Sequence, residues 1–269
     1  MKLGRGWGLE MDEKAPIRTA VITGTSGIAL GVAKRLLRDG FSVVLCGSDL
    51  EQNALARSEL TDQRAQVFAL DVSDASAVEP FAIELQNRLD AIDALVNCAA
   101  IQPYGTIETT TPTDWERVIA INLTGYYLMS HFLYPLLKVR GNAAIVNFAS
   151  VQGHMNQNNV LGYATSKGAI HALTRAMAVD CARDGVRVNS VSPGSVRSPM
   201  LELSARSLAP DGSNIEDTIA GFGRSHAIGR VGTIEEVAAL VSFLVGQESG
   251  FCVGSDFSID GGLRAKLGV

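Results

Sequence analysis

The 269-residue sequence lacks most of the features that mark membrane, secreted or nucleic-acid-binding proteins. No apolar stretch approaches the ~18 residues of a membrane-spanning helix. Residues 1–15 contain no apolar core like that of a secretory signal. The net charge is −5 and no run of lysine and arginine is present, which argues against a nucleic-acid surface. We therefore expect a cytoplasmic protein with no membrane or nucleic-acid partner.

Grouped metal ligands are also absent from the sequence. The four cysteines, Cys46, Cys98, Cys181 and Cys252, are widely spaced and match no zinc-binding pattern. The four histidines form no H-E-x-x-H or similar arrangement. We therefore expect buried, reduced thiols and no structural or catalytic metal.

What the sequence does contain is a regular alternation of strand and helix patterns from residue 17 onwards. Short apolar runs predict strands at 17–23, 42–46, 66–70, 94–97, 143–148, 187–191 and 256–259. Apolar residues at helical spacing predict helices at 28–39, 50–60, 75–89, 113–139, 163–183 and 234–244. This alternation predicts an α/β fold, a Rossmann-type doubly wound parallel sheet flanked by helices, in a single domain.

No linker or change of composition divides the chain. We expect a flexible N-terminal tail at 1–15 and one domain at 16–269. Within that domain the segment at about 195–232 shows little periodicity. A long irregular segment inside a compact domain is usually a functional lid or a mobile loop, so this segment is predicted to cover the substrate.

A tyrosine and a lysine stand four residues apart, and a serine precedes them. They are Tyr163, Lys167 and Ser150. A spacing of four places two helical side chains on one face. Because a lysine cation beside a phenol favours the phenolate, we expect the pKa of Tyr163 to fall below its ordinary value of about 10. Tyr163 is then a candidate general acid or base, with Ser150 holding a substrate oxygen.

A glycine-rich turn follows the first predicted strand and opens a helix. Its residues are Gly24, Thr25, Ser26, Gly27 and Ile28. Glycines in such a turn let the backbone approach a pyrophosphate, and the helix N-terminus supplies free amides and a partial positive charge. The turn therefore predicts a dinucleotide site.

Taken together, these motifs resemble the short-chain dehydrogenase/reductase family, in its Tyr-x-x-x-Lys branch of about 250 residues. The resemblance extends over roughly residues 17–262 and includes further matching motifs: Asp71-Val72, Asn97-Cys98-Ala99-Ala100, Ile121-Asn122-Leu123 and Pro193-Gly194. It implies an NAD(P)-dependent oxidoreductase that interconverts a secondary alcohol and a ketone. Members of the family are commonly homotetramers, so a homotetramer (or dimer) is expected.

The resemblance also implies a role for each matching residue. The implied catalytic residues are Asn122, which holds a helix kink and a relay water, Ser150, Tyr163 and Lys167, which also binds the nicotinamide ribose. Asp71 is implied to bind the adenine, with Val72 beside it. The residues implied to line the cofactor cleft and meet the nicotinamide are Asn97, Ala99, Pro193, Gly194, Val196 and Ser198.

Three departures from the family pattern keep a second interpretation open. Only two residues separate Gly24 from Gly27, where the family usually has three, and Ala29 replaces the third glycine. The family's Asn-Asn-Ala-Gly is here Asn-Cys-Ala-Ala. A degenerate member that binds dinucleotide as a sensor or scaffold, without turnover, is the alternative. A 3-oxoacyl-carrier ketoreductase is an alternative within the enzyme class, but it needs a basic docking surface and NADPH.

The end of the second strand is where the family usually distinguishes NAD from NADP. A carboxylate there binds the ribose hydroxyls and repels a 2′-phosphate. The expected position holds Gly47, followed by Ser48 and Asp49. Ser26 stands where phosphate-binding members often carry a cation. The nearby Asp49 and the missing cation favour NAD, although Asp49 is equally suited to cap the next helix.

Polar side chains are frequent in the segments that form the substrate pocket by resemblance. The candidates are Gln102, Gln152, His154 and Arg197, of which the arginine is suited to a carboxylate. Hydroxyl-rich ligands need many paired donors and acceptors. We therefore predict a small polar substrate, namely a sugar, polyol, sugar acid or hydroxy acid. The alternative is that this stretch is an exposed loop and Arg197 a surface residue.

Overall fold

The computed structural model of the protein describes residues 17–209 and 214–267. Its seven strands form one sheet in the order β3-β2-β1-β4-β5-β6-β7. All neighbouring strands are parallel, which confirms the predicted fold class. The predicted tail at 1–15 lies outside the described residues. The strands are β1 (Thr19–Thr23), β2 (Ser42–Gly47), β3 (Ala65–Ala69), β4 (Ala94–Asn97), β5 (Ala143–Phe148), β6 (Val186–Pro193) and β7 (Asp256–Ile259).

Helices connect the strands and cover both faces of the sheet. In the described part of the chain they are α1 (Gly27–Arg38), α2 (Leu50–Glu59), α3 (Ala75–Arg88), α4 (Pro112–Ile119), α5 (Gly125–Arg140), α6 (Leu161–Cys181), α7 (Pro199–Leu208), α8 (Ile215–Ser225) and α9 (Ile234–Val245). A π-helical turn spans Ala120–Thr124, and 3-10 turns span Val151–Gly153, Ala182–Asp184 and Gln247–Ser249. None of these helices is long and apolar enough to cross a membrane.

The strands read as continuous apolar runs because both faces of the sheet are buried. In β1 all five residues are buried, and successive side chains enter different cores. Ala20 and Ile22 pack with α1 and α9 on one face. Val21 packs with α3, α5 and α6 on the other. This arrangement fixes β1 at the centre of the molecule.

The sheet has a topological switch point beside β1. The chain runs outwards from β1 to β2 and β3, then returns to place β4 on the opposite side of β1. The loops after β1 and β4 therefore leave the sheet in opposite directions and open a crevice at the carboxyl edge. Ligands of open α/β sheets bind in this crevice, where the predicted glycine turn lies.

The helix predicted at 113–139 is interrupted in the structure. Its two parts, α4 and α5, are separated by the π-helical turn, which contains Asn122. A π turn adds one residue to the helical repeat, and apolar residues continue across it. The pattern of the sequence therefore did not reveal the break, although the kink implied for Asn122 by the family resemblance lies here.

The segment 195–232 is more regular than the sequence predicts. It contains α7 and α8, and a bridge between Val196 and Gly232 closes its ends. The Ser198 hydroxyl accepts a hydrogen bond from the Leu201 amide at the start of α7, where Pro199 occupies the first turn. A serine cap followed by proline is a helix-start signal. The expectation of an irregular segment is wrong, because α7 and α8 lie within it.

Candidate active site

The catalytic residues predicted from the sequence are brought together by β5 and α6. Ser150 follows the end of β5, and its Oγ accepts a hydrogen bond of 3.1 Å from the Gln152 amide. Tyr163 and Lys167 lie one turn apart near the start of α6. All three side chains are buried and line one cavity of about 440 Å³ at the carboxyl edge of the sheet.

Lys167 is hydrogen-bonded to neighbours other than the Tyr163 phenol. Its Nζ donates to the Phe148 carbonyl at 2.6 Å and to the Tyr126 hydroxyl at 3.5 Å. The same Nζ lies 5.5 Å from the centroid of the Tyr163 ring. Burial lowers the pKa of Lys167 to about 8, so the ammonium is still the main form at neutral pH.

The expected fall in the pKa of Tyr163 is wrong for this structure. Burial raises the pKa of Tyr163 to about 12, and the interaction with the Ser150 side chain only partly opposes this effect. Desolvation prevails because removing a phenolate from water disfavours the charged form. The Lys167 ammonium, held by Phe148, makes no hydrogen bond to the phenol that would reverse the effect. Tyr163 is therefore a neutral phenol at pH 7.

Asn122 fastens the π-helical turn to the loop after β4. Its Oδ1 accepts from the Ile101 amide and its Nδ2 donates to the Ile101 carbonyl, both at 2.9 Å. Nδ2 also lies 3.1 Å from the Ser166 hydroxyl of α6. The side chain is fully buried. Asn122 thus connects the loop beside the cavity to the helix that carries Tyr163 and Lys167.

The glycine turn has the backbone that a pyrophosphate site requires, despite its missing residue. Gly24 and Gly27 have φ angles of +96° and +54°, a region that glycine adopts readily. Ser26 precedes α1 without a side-chain capping bond, which leaves the first amides of the helix free for an anion. The buried Ala29 methyl packs against the bare Cα of Gly24, where an added Cβ would lie 3.1 Å away. The residues present therefore fit a dinucleotide.

Thr25 and Asn53 occupy the position at which a carboxylate at the end of β2 would project. A Cβ added to Gly47 would lie 2.9 Å from Thr25 Oγ1 and 3.2 Å from Asn53 Oδ1. The Asn53 Nδ2 donates to the Gly47 carbonyl at 2.8 Å, and its buried Oδ1 has no partner. The inward turn of Thr25 explains how the shortened loop reaches α1 and why glycine stands at position 47.

The next two predicted cofactor residues, Ser48 and Asp49, are exposed beyond the end of β2. Asp49 is the N-cap of α2, and its Oδ1 accepts from the Glu51 and Gln52 amides at 2.9 and 3.0 Å. The capping alternative for Asp49 is therefore present in the structure. These capping bonds use only one of the two carboxylate oxygens.

Asp71 and Val72 lie in the turn after β3. The exposed Asp71 carboxylate accepts from the Ser73 amide at 2.9 Å and from the Ser73 hydroxyl at 2.7 Å. Val72 is buried against Gly125 of α5, where an added Cβ would lie 2.8 Å from the valine methyl. The turn thus fixes the Asp71 carboxylate on the surface.

Asn97 and Ala99 follow β4 and differ in what they face. The Asn97 side chain is fully buried beneath the cavity and donates to the Asn147 Oδ1 at 2.9 Å. Ala99 lines the cavity, and its amide donates to the Thr23 hydroxyl at 3.0 Å. Ala99 therefore forms part of the cleft wall, and the Asn97 side chain supports that wall through its hydrogen bond to Asn147.

The loop after β6 forms the opposite wall of the cavity. The predicted residues Pro193, Gly194, Val196 and Ser198 all line it. A histidine that the sequence did not single out, His226, is hydrogen-bonded to this loop. Its Nε2 accepts from the Ser195 amide at 3.1 Å, and its Nδ1 lies 2.8 Å from the Phe222 carbonyl. No local motif signals the contact of His226 with this loop, because Ser195 lies 31 residues away in the chain.

The remaining cavity wall is polar on one side and apolar on the other. Gln102 and Gln152 line it near Ser150, and the buried Gln152 Oε1 has no hydrogen-bond partner. The segment predicted as a lid contributes apolar side chains that the sequence analysis did not anticipate: Met200, Leu201, Leu208 and Phe222. A ligand here meets amide side chains on the Gln152 side and a mixture of apolar side chains and hydroxyls, such as Ser204 and Ser225, on the lid side.

Two of the four predicted substrate residues are bonded elsewhere. His154 does not line the cavity, and its Nε2 lies 2.8 Å from the Asp256 carboxylate of β7. The exposed Arg197 pairs with both oxygens of Glu216 at 2.7 and 2.8 Å and with Glu202 at 3.1 Å. The surface alternative for Arg197 therefore describes its position in this structure.

Comparisons with known proteins show the family of the chain. A family model described as Enoyl-(Acyl carrier protein) reductase matches residues 22–264. The chain is 36% identical over 253 residues to meso-2,3-butanediol dehydrogenase of Serratia marcescens, covering 93% of this chain and 96% of that one. It is 34% identical over 256 residues to mouse (Mus musculus) L-fucose dehydrogenase, covering 93% and 89%.

A solved structure has the same architecture. The ligand-free aldohexose dehydrogenase of Thermoplasma acidophilum superimposes with a TM-score of 0.87 at 30% identity, covering 94% of this chain and 96% of that one. The match includes both the sheet and the helices that carry the cavity. The chain therefore belongs to the short-chain dehydrogenase/reductase family of NAD(P)-dependent oxidoreductases that act on CH–OH groups.

Proposed function

We propose that this protein interconverts a secondary alcohol and a ketone on a small polar substrate, such as a sugar, polyol, sugar acid or hydroxy acid. The observation that carries the proposal is the convergence of the Ser150 hydroxyl and the Tyr163 phenol on one cavity. The glycine turn and the start of α1 border the same cavity. A substrate in the cavity can therefore contact Ser150 and Tyr163 while a dinucleotide lies along the crevice beside the glycine turn.

The proton step is assigned to Tyr163. The substrate oxygen lies between Ser150 Oγ and the Tyr163 hydroxyl, so that both hold it during the reaction. In ketone reduction the phenol donates its proton to this oxygen, and in alcohol oxidation the phenolate accepts it. A bound nicotinamide supplies or accepts the hydride. Because burial raises the pKa of Tyr163 to about 12, the phenol that donates the proton in reduction is the prevailing form at pH 7.

A polar substrate is supported by the groups near Ser150. The Gln152 Oε1 is a buried acceptor without a partner, and Gln102 lines the same wall. If the buried Gln152 amide turns towards the cavity, a second hydroxyl of the substrate would satisfy its acceptor, which otherwise costs roughly 1–3 kcal/mol. The names of the relatives, a butanediol, a fucose and an aldohexose dehydrogenase, are consistent with such substrates. The apolar lid side chains would then cover the carbon skeleton.

NAD is proposed as the preferred cofactor. The exposed end of β2 carries the Asp49 carboxylate and no basic residue at positions 47–49. Ser26, at the turn, adds no positive charge. A 2′-phosphate placed near this edge would meet a negative charge without a compensating cation. The second oxygen of Asp49 would instead accept a hydrogen bond from the adenosine ribose.

Titration with NADH and NADPH separately, followed by nicotinamide fluorescence, is the direct test. Saturable binding, tighter for NADH, together with turnover of polyols or sugars, is expected. Binding without turnover of any alcohol would favour the alternative of a dinucleotide sensor or scaffold. Binding of neither cofactor would show that the shortened glycine turn does not hold a dinucleotide.

A homotetramer, or a dimer, in the cytoplasm is proposed as the state of the protein. Large apolar side chains are exposed at the end of α9 and in the segment leading to β7, namely Phe243, Phe251 and Val253. Apolar patches of this kind favour association between chains. The four cysteines are free, as in proteins of reducing compartments. Light scattering after gel filtration measures the mass.

A further inference from the structure

Three metal-ligating side chains from three elements meet beside the active site. His154 ends the 3-10 turn that follows Ser150, His171 belongs to α6, and Asp256 begins β7. Their ligand atoms all lie within 4.8 Å of one another, and the two imidazole rings have their centroids 4.1 Å apart. The proposed proton transfer uses none of the three, so their convergence needs a separate explanation.

His171 is the strongest sign that a ligand is held here. Its side chain is only 8% exposed, and neither ring nitrogen has a hydrogen-bond partner. The nearest carboxylate oxygen, Asp256 Oδ1, is 3.5 Å from Nδ1. Buried polar groups in folded proteins are almost always paired, and an exception commonly marks a bound water or ion.

The spacing of the cluster suits a tetrahedral metal. Zinc binds histidine nitrogen at about 2.0–2.1 Å and carboxylate oxygen at about 2.0–2.2 Å, which separates two ligands by roughly 3.3–3.5 Å. His154 Nε2 is 2.8 Å from Asp256 Oδ2, and His171 Nδ1 is 3.5 Å from Oδ1. The separation of His154 and Asp256 therefore needs to lengthen by about half an ångström for a cation to replace the proton that they share, and the two imidazole nitrogens, now within 4.8 Å of each other, need to reach the same spacing.

The surroundings of Asp256 orient it as a metal ligand. Its Oδ1 accepts hydrogen bonds of 2.8 Å from both the Ser190 and the Ser192 hydroxyls of β6. Such outer bonds position ligating carboxylates and tune their affinity. The competing cation is Arg264, whose Nη1 lies 3.8 Å from Asp256 Oδ2. Arg264 also donates to the Ser258 hydroxyl, so it keeps a partner when a metal takes the carboxylate.

We propose that His154, His171 and Asp256 form a binding site for a divalent transition metal of the zinc class, with water as the fourth ligand. Two imidazoles and one carboxylate with an open position form a known zinc coordination set. The metal would join the turn after Ser150 to α6 and β7. It would support the position of Ser150 and take no part in hydride transfer. The expectation of no metal considered spacing along the chain, which does not reveal ligands from three elements.

The test is a titration of the metal-free, full-length protein with Co²⁺, whose visible absorption reports tetrahedral ligands, followed by displacement with Zn²⁺. Saturation at one metal per chain and a higher temperature of unfolding with Zn²⁺ are expected. Because loss of an outer partner alone costs roughly 10–100-fold in affinity, His154→Ala should weaken binding by about 100-fold or more. His154 is on the surface, so this variant should fold; His171→Ala is the second variant.

Two further variants sharpen the test. His131→Ala removes an exposed histidine of α5 that stacks on Tyr127, and it should leave the metal affinity unchanged. Arg264→Gln removes the competing charge, and it should tighten binding. Equal affinity of the wild type and His154→Ala for Co²⁺, or a loss in His131→Ala as large as in His154→Ala, would overturn the proposal. Neither result depends on the assignment of Tyr163 as proton donor.

Discussion

The Lys167 ammonium is anchored to the last residue of β5, since its Nζ donates a 2.6 Å hydrogen bond to the Phe148 carbonyl. This hydrogen bond links α6 to the sheet. It places the Lys167 Nζ 5.5 Å from the centroid of the Tyr163 ring. Lys167 therefore lies near the Tyr163 ring without a hydrogen bond to the phenol. Burial of the same ammonium has a consequence for stability.

Lys167→Met should remove a pH-dependent part of the stability. The pKa of Lys167 falls from 10.5 to about 8 in the folded protein, so between these values the unfolded chain binds more protons. The free energy of unfolding of the wild type should therefore rise with pH, relative to the variant, by about 2–3 kcal/mol from pH 7 to pH 10. Urea unfolding of both proteins across this range measures the difference.

Comparison with the variant is needed because buried cysteines such as Cys46 have a raised pKa and change the stability in the opposite direction. Lys34→Met, which removes an exposed lysine paired with Glu59, is the matched control and should keep the rise. A constant difference between the wild type and Lys167→Met from pH 7 to pH 10 would contradict the assignment of a desolvated ammonium.

Ala29→Gly should not tighten cofactor binding. Ala29 is buried in α1 and its methyl packs in the core. The substitution loses about 0.8 kcal/mol of methyl burial and roughly 0.5–1 kcal/mol of helix preference. We expect a stability lower by about 1–2 kcal/mol and an unchanged Kd for NADH, measured by fluorescence. Ala33→Gly, on the same helix and equally buried, is the control. A markedly tighter Kd in Ala29→Gly would show that the methyl obstructs the site.

The two roles of Asp49 can be separated by two substitutions. Asp49→Asn keeps a side-chain oxygen for the cap of α2 and loses the charge, whereas Asp49→Ala loses both. Both variants should narrow the preference for NADH over NADPH. Only Asp49→Ala should lose stability, by about 1 kcal/mol. An unchanged ratio of the two Kd values in Asp49→Asn would restrict Asp49 to capping.

Substitutions of Gln152 and Arg197 should differ in their effects on kcat/KM for a polar substrate. Gln152→Leu removes the unpaired acceptor from the cavity wall, and it should lower kcat/KM by about 10-fold or more. Arg197→Gln breaks the pairs with Glu216 and Glu202 outside the cavity and should change kcat/KM much less. Steady-state kinetics of both variants on one substrate measure the difference. A larger loss of kcat/KM in Arg197→Gln than in Gln152→Leu would place Arg197 in the substrate site.

Much of the fold and of the site was predictable because the signals are local. The strand and helix periods and the spacing of Ser150, Tyr163 and Lys167 each depend on residues close together in the chain. The π-helical turn at Asn122 was hidden because apolar residues continue across it. In the 195–232 segment, the Ser198-Pro199 pair is a local start signal for α7, but the apolar periodicity of the segment did not reveal the helix.

Features that depend on distant contacts were not predictable. The raised pKa of Tyr163 follows from burial, and burial of a side chain is a property of the assembled fold. The filling of the space beside Gly47 by Thr25 and Asn53 requires the glycine turn and α2 to meet. The His226 bond to the Ser195 amide spans 31 residues. Sequence spacing carries no information about such encounters.

The most direct test of the central claim is the comparison of the wild type with Tyr163→Phe. Phenylalanine keeps the ring and removes the hydroxyl that transfers the proton. We expect turnover of a sugar or polyol with NAD to fall by about 10²–10⁴-fold or more, while the Kd for NADH measured by fluorescence stays within about twofold. Turnover that survives in Tyr163→Phe, or a wild type that binds NADH and turns over no alcohol, would contradict the account.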